Sequence, residues 1–153
     1  MNYGYACINE TLGAGPKKTR ITTNRSMIKR TFKEKGIAYA SELALQNIKD
    51  LIKILAWNED NDIRFYRMSS DIFPWASEYN YWELPNYKEI KYWLRCAGDA
   101  ATKMEHRLTF HPGPFNCLAS PNFEVVEKTY KELNNHSRIF DMMGFEPSHY
   151  NKI

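Results

Sequence analysis

The chain has 153 residues, of which 43% are hydrophobic and 14% aromatic; this suits one folded domain, residues 1–153, and excludes an intrinsically disordered chain. Its formal net charge of +3 is only weak support for a polyanionic partner. Cys7, Cys96 and Cys117 lie far apart in no metal-binding spacing, which argues against a disulfide framework or a zinc site. No stretch reaches the roughly 18 apolar residues of a membrane span. We therefore expect an intracellular protein, in the cytoplasm or nucleus, that is neither secreted nor membrane-bound.

The N-terminal part combines a short aromatic strand with a basic segment. Residues 3–8 predict a buried strand with Asn9 and Glu10 at its C-terminal tip. Residues 11–40 show no clean period and predict a long connection that carries eight basic residues and a single acid, Glu34. Such a connection is either a solvated loop or a segment that contacts phosphates. The basic residues are Lys17, Lys18, Arg20, Arg25, Lys29, Arg30, Lys33 and Lys35.

The middle and C-terminal parts predict three helices and a second strand. Apolar residues recur at helical spacing from Ser41 to about Trp57. Residues 63–68 alternate as a strand does, and Pro74 makes 73–78 a structured loop. Asn86 and Glu89 have capping-box spacing and predict the start of a second helix. A third helix should follow Pro121-Asn122 and stop at Gly144, and its predicted buried residues are Val126, Tyr130, Leu133 and Phe140.

A third strand, residues 107–111, ends on His111 directly before Pro112-Gly113-Pro114. This rigid turn should present Phe115 beside the imidazole. The order β-α-β-α-β-α predicts a parallel sheet with helices packed on it. In barrels of parallel strands the C-terminal strand ends carry the chemistry, so His111 is a candidate site residue. Three βα units do not close a barrel, so the chain is either a small open α/β layer or the front part of something larger. Exposed strand edges would then favour a homodimer.

Four stretches resemble the UV-damage endonucleases, in that family's order and over nearly the whole chain. They are residues 4–9 (GYACIN) with Thr11-Leu12, 54–58 (ILAWN), 67–77 (RMSSDIFPWAS) and 106–113 (HRLTFHPG), the last followed by Ser120-Pro121. The resemblance covers the N-terminal half of such an enzyme. It implies the N-terminal βαβαβα portion of a TIM (β/α)8 barrel, which is an incomplete barrel. It also implies a cluster of divalent metals, usually manganese, and cleavage of double-stranded DNA on the 5′ side of UV photoproducts such as cyclobutane dimers and 6-4 products.

The resemblance assigns metal ligands among these residues. His111 matches a metal ligand of the family. Glu78 stands where the family commonly has a metal-binding His, so it is either a replacement ligand or a solvent-exposed carboxylate. Manganese accepts imidazole and carboxylate ligands together, and a metal cluster can generate hydroxide near neutral pH.

The resemblance also assigns residues that face the DNA. Tyr5 and Asn9 match family residues on the lesion-facing side of the catalytic site. Pro114 and Phe115 occupy the pair that the family uses as a wedge beside the damaged bases, and the ring of Phe115 can stack on bases. Phosphates would be held by the basic segment, without sequence readout, and its assigned residues are Lys17, Lys18, Arg20 and Arg25.

The family's remaining metal ligands come from later strands, which this chain does not possess. His111 and Glu78 cannot hold a three-metal cluster, so we expect the truncated chain to be weak or inactive alone. Two other functions remain open. One is a metal-dependent sugar isomerase or epimerase of similar barrel architecture, whose small substrates have little use for the basic segment. The other is a non-catalytic basic α/β module that binds nucleic acid or a protein partner.

Overall fold

The computed structural model describes residues 3–151 and 153, and residues 1, 2 and 152 lie outside the described part. Its helices and strands, in chain order, are β1 Gly4–Ala6, α1 Glu10–Gly13, α2 Lys29–Asp60, β2 Phe65–Ser69, α3 Tyr87–Lys103, β3 Arg107–His111 and α4 Phe123–Met143. Short 3-10 turns follow β2 at Ser70–Ile72 and precede α3 at Tyr81–Glu83. No helix in the described ranges is long and apolar enough to cross a membrane.

The strands form one parallel sheet in the order β1-β2-β3. Ala6 pairs with Arg67, and Ser69 pairs with His111. The C-terminal ends of all the strands therefore lie along the same edge of the sheet. This arrangement confirms the predicted α/β class with a parallel sheet.

The two faces of the sheet differ in what covers them. Tyr66 and Met68 on β2 and Phe110 on β3 are fully buried, whereas Arg67 and His111 point to the opposite face and are exposed. Parallel sheets are normally covered on both faces. Within the described residues, the helices pack on one face, and the other is accessible at Arg67 and His111.

Helix α2 begins much earlier than predicted and contains a break. Gly36 has φ 63° and ψ −161° inside it, a conformation that glycine adopts without a steric penalty. Residues 29–35, which we call the basic helix, precede this break, and the predicted helix from Ser41 lies beyond it. The prediction of one continuous connection over residues 11–40 was wrong at residues 11–13, which belong to α1, and from Lys29 onward.

Helix α3 begins as predicted but without the predicted capping box. The side chain of Asn86 makes no capping hydrogen bond. Glu89 instead forms a hydrogen-bonded ion pair with Lys49 of α2, with 2.7 Å between the carboxylate oxygen and Nζ. The hydrogen bond from Lys49 is the main cause that lowers the pKa of the Glu89 carboxyl. The acid therefore links two helices rather than closing the first turn of one.

Helix α4 has the predicted ends. Asn122 accepts a hydrogen bond from the Glu124 amide at 2.9 Å, and Gly144 ends the helix in the left-handed region with φ 81°. The ring of His136 stacks on Phe110, with the two centroids 4.3 Å apart and 3° between the planes. Because successive helical side chains are about 100° apart, a stripe centred on His136 turns Tyr130 outward. Tyr130 is 63% exposed, so its predicted burial was wrong.

Candidate functional site

His111 is the last residue of β3, and its side chain is exposed at the C-terminal edge of the sheet. Its Nδ1 lies 3.0 Å from the carbonyl oxygen of Pro112. When Nδ1 donates in this contact, Nε2 has the lone pair that a metal ligand needs. Position and exposure therefore suit His111 to bind a metal ion.

Arg67 and Cys7 lie at the same edge and were not assigned from the sequence. The Nε atom of Arg67 donates to the carbonyl oxygen of Phe110 at 3.0 Å, which holds the guanidinium across β3. Cys7 follows β1 with φ 62°; burial raises the pKa of its thiol, and the charge of Arg67 acts in the opposite direction. In a strand, residues two positions apart lie on the same face, so the sequence places Arg67 on the face of Ser69. This alternation could have identified Arg67 as a cation of the site.

A cavity of about 600 Å³ opens between the segment that follows β2 and the first half of α4. Glu78 and Phe115 both line it, together with Trp75 and Lys131. Phe115 is 91% exposed, so its ring is accessible to a binding partner. The structure therefore brings Glu78 and Phe115 to one cavity, while His111 is not among the residues that line it.

Potential metal ligands are present singly rather than as a set. Within residues 3–151 and 153, no group of three or more His, Cys, Asp or Glu side chains could hold a metal ion. The imidazole of His111 fits one coordination position, and the carboxylate of Glu78 has the chemistry of a second. The described residues therefore do not by themselves fit a metal cluster.

Tyr5 and Asn9 are brought together by a chain of hydrogen bonds. Asn9 Nδ2 donates to the Tyr5 hydroxyl, which in turn donates to Asn58 Oδ1 of α2, each over 2.8 Å. Burial raises the pKa of Tyr5, and the bonds to the two asparagines act in the opposite direction. Through the register, Tyr5 aligns with Leu108, three positions before His111 in β3. Along the strands, Tyr5 therefore lies before the C-terminal end that carries His111.

The predicted phosphate-binding residues fall into two groups. Lys17 and Lys18 are exposed, and Arg20 is half-buried. Arg25 is turned inward, with 2.6 Å between its Nη2 and Asp50 Oδ2. It also donates to the carbonyl oxygens of Arg20 and Thr22, each at 2.7 Å. The structure therefore corrects the assignment of Arg25 to DNA, because its guanidinium is held inside the fold.

The basic helix carries the remaining cations of the predicted phosphate-binding segment. Its Lys29, Arg30, Lys33 and Lys35 are all exposed. The sequence had placed these residues in an irregular connection. Their helical arrangement instead concentrates positive charge on one short helix, which suits it to contact a phosphate backbone.

Comparisons with known proteins identify the family to which the chain belongs. The family model of UV-endonuclease UvdE matches residues 1–153. The chain is 36% identical over 140 residues to the UV-damage endonuclease of Schizosaccharomyces pombe, covering 92% of this chain and 23% of that protein. It is 32% identical over 157 residues to the UV DNA damage endonuclease of Clostridium perfringens, covering 100% of this chain and 34% of that protein.

A solved structure is similar to this chain in fold. The crystal structure of SacUVDE matches with a TM-score of 0.78 and 28% sequence identity, covering 95% of this chain and 47% of that chain. The fold is thus similar to that of SacUVDE. The chain belongs to the UV-endonuclease UvdE family. It spans less than half the length of each of these relatives.

Proposed function

We propose that this chain forms part of a DNA-repair endonuclease that binds UV-damaged double-stranded DNA and hydrolyses the phosphodiester 5′ of the photoproduct. The observation that carries the proposal is the pairing of an exposed His111 with an exposed Phe115 on the turn after β3, in a chain that matches the UvdE family throughout. In this arrangement one short segment supplies both a metal ligand and a ring that can stack on bases.

We further propose that the site uses divalent metal ions, of which manganese suits the ligands best. His111 would supply one ligand through Nε2, and Glu78 a second in place of the family's histidine. When bound, the metal would activate water and stabilise the leaving oxygen. The other ligands would come from parts of the nuclease outside the matched region.

The side chains of this chain would bind and orient the substrate. The Phe115 ring would enter the gap beside the damaged bases, and Pro114 would limit the movement of the turn that carries it. Lys17, Lys18 and the basic helix would hold phosphates and so set the position of the duplex without sequence readout.

The sheet would be the first three strands of a (β/α)8 barrel, with the accessible face of Arg67 and His111 turned to the barrel interior. Pairing of two copies through the strand edges stays a prediction. The edge of β3 is partly occupied, because Asn151 Oδ1 accepts a hydrogen bond from the Leu108 amide at 3.1 Å. Sedimentation at high concentration tests this pairing, and a monomer throughout would contradict it.

The experiment that tests the function compares binding to irradiated and intact duplex DNA. We expect tighter binding to the irradiated duplex, and Phe115→Ala should abolish most of this preference. The matched control is Phe123→Ala, which removes another exposed ring, 72% accessible, from α4. Equal affinity of the wild type for both duplexes would contradict damage recognition and favour the non-catalytic nucleic-acid module.

A parallel experiment tests the metal. Calorimetric titration with manganese should give weaker binding for His111→Ala, whereas His149→Ala should bind as the wild type does, since His149 is exposed outside the site. Unchanged manganese affinity in His111→Ala would refute the ligand assignment. Nicking of irradiated supercoiled plasmid with manganese, against a chelator control, measures how much activity this chain has.

A further inference from the structure

Trp75, on the segment after β2, contacts the basic helix across a large sequence separation. Its ring stacks on Phe32, with the centroids 5.6 Å apart and 19° between the planes. Its indole Nε1 donates to the carbonyl oxygen of Met27 at 2.9 Å. Trp75 therefore contacts both the basic helix and the residues that lead into it.

A neighbouring connection joins the same two segments. The amide of buried Asn47 donates to the carbonyl oxygens of Arg25 at 3.0 Å and Ile72 at 3.2 Å. The hydrogen bonds of Asn47 reach Arg25, which precedes the basic helix, but not the basic helix itself. At the C-terminal end of the basic helix, Gly36 interrupts the helical geometry. The orientation of the basic helix thus depends on a contact of its own, and the stack of Phe32 on Trp75 supplies it.

Trp75 also shapes the segment that carries Glu78. Its backbone has φ 59°, which is uncommon for a bulky residue and marks a locally constrained position. Its carbonyl oxygen accepts a hydrogen bond from the Glu78 amide at 2.9 Å, and its side chain lines the same cavity as Phe115. One residue thus links the basic helix, Glu78 and the cavity.

We infer that Trp75 is a positioning residue that fixes the basic helix relative to the cavity lined by Glu78 and Phe115. Lys29 and Lys33 then meet DNA phosphates in a fixed register with the bases that Phe115 probes. Phosphate contacts set the register of a protein on a duplex, and cations held in place lose less freedom on binding. This inference rests on the proposed DNA-binding function.

The test uses variants from both sides of the stack, Trp75→Leu and Phe32→Leu, and their double mutant. The matched control is Trp82→Leu, since Trp82 is 58% exposed and its ring lies near Arg138 rather than the basic helix. Limited trypsin digestion reports on the basic helix, which carries four cleavable residues, Lys29, Arg30, Lys33 and Lys35. The salt dependence of affinity for irradiated duplex DNA reports on phosphate binding.

We expect Trp75→Leu and Phe32→Leu each to speed cleavage within residues 29–35 several-fold, with no further effect in the double mutant. The slope of log affinity against log salt should become shallower by about 1 for each DNA phosphate that the basic helix no longer neutralises. Trp82→Leu should match the wild type in both measurements. Circular dichroism melts check that each variant is folded. If Trp75→Leu does not fold, the measurements on Phe32→Leu test the inference instead.

Two outcomes separate this inference from the function on which it rests. Unchanged cleavage and slope in folded variants of a DNA-binding wild type would overturn the positioning role and leave the proposed function in place. A wild type that does not bind duplex DNA at low salt would overturn the proposed function and the inference with it.

Discussion

Arg25 and Asp50 form an ion pair inside the fold, with 2.6 Å between Nη2 and Oδ2 and only 11% and 4% of the two side chains exposed. The same carboxylate oxygen accepts a hydrogen bond from the Thr22 amide at 3.2 Å. The Asp50 carboxylate therefore fastens the basic segment after β1 to α2, next to the hydrogen bond from Asn47 to the Arg25 carbonyl oxygen.

Asp50→Ala should lower the free energy of unfolding by about 3 to 5 kcal/mol, because it leaves a nearly buried guanidinium without its partner. The control is Lys53→Ala, which removes the other cation on Asp50; that side chain is 59% exposed, and its loss should cost less than about 1 kcal/mol. Urea denaturation measures the loss of unfolding free energy in both variants. Equal losses would show that other groups stabilise the Arg25 guanidinium when Asp50 is absent.

Acidification should destabilise the chain through His136. Burial lowers its pKa from 6.5 to about 4, with Glu132 acting in the opposite direction. In the unfolded chain the imidazole of His136 therefore becomes protonated below about pH 6.5, whereas in the native chain it stays neutral down to about pH 4. Since the unfolded state binds more protons in this range, the free energy of unfolding should decrease as the pH is lowered from about 6.5 to about 4. For this group the decrease should be as much as about 3 kcal/mol.

His136→Phe tests this linkage, since a phenyl ring can keep the stack on Phe110 and has no proton to bind. Unfolding free energies at several pH values between 7 and 4 should fall less steeply in this variant than in the wild type. His149→Gln, at an exposed position, should leave the wild-type profile unchanged. Identical profiles for His136→Phe and wild type would assign the acid sensitivity to other groups, of which buried His106, whose pKa burial also lowers, is the first to examine.

Gly98→Ala should disrupt the packing of α3 against α4. A Cβ at Gly98 would collide with the carbonyl oxygen of Met143, which is backbone and cannot rotate away. Overpacking of this kind typically costs about 1 to 3 kcal/mol. Gly13→Ala is the control, because the nearest atom to its Cβ would be Ile8 Cγ2 at 3.8 Å, an ordinary contact. Thermal melts of the two variants should differ clearly, and a shared melting temperature would mean that the helices separate at little cost.

Tyr66→Phe should cost about 1 to 2 kcal/mol of unfolding free energy. The fully buried hydroxyl of Tyr66 lies 2.9 Å from Thr23 Oγ1 and donates to the Cys7 carbonyl oxygen at 2.9 Å. Its removal leaves polar groups on two other segments without this partner. Tyr130→Phe, at an exposed ring, should be close to neutral. Chemical denaturation measures the difference, and a neutral Tyr66→Phe would show that Thr23 and Cys7 find other partners.

Local signals explain which elements the sequence predicted. The limits of β3 and α4 follow from residues at their own ends: the proline-rich turn after His111, the cap at Asn122 and the glycine at Gly144. The parallel sheet followed from the alternation of element types. The strand end and the proline-rich turn pointed to His111 and Phe115, and the family resemblance added the roles predicted for them. The comparisons confirm the family itself.

Contacts between distant segments explain what the sequence did not predict. The basic helix has few apolar residues, and its main anchor, Phe32, packs on Trp75, which lies 43 positions later in the chain. Arg25 is buried because Asp50 lies opposite it on α2. Tyr130 has the spacing of a core residue, yet the position of the sheet decides which side of α4 is buried. Spacing alone contains none of this information.

The hydrogen bond from the Leu108 amide to the Asn151 side chain also bears on how preparations of this chain age. Conversion of Asn151 to aspartate would leave a carboxylate in the same place, and a carboxylate accepts the same hydrogen bond. Proteolytic loss of residues 148–151 would instead uncover the start of the β3 edge, where unpaired backbone groups recruit other strands. The integrity of this short segment, rather than the chemical state of one amide, should therefore govern how long a concentrated sample stays free of aggregates.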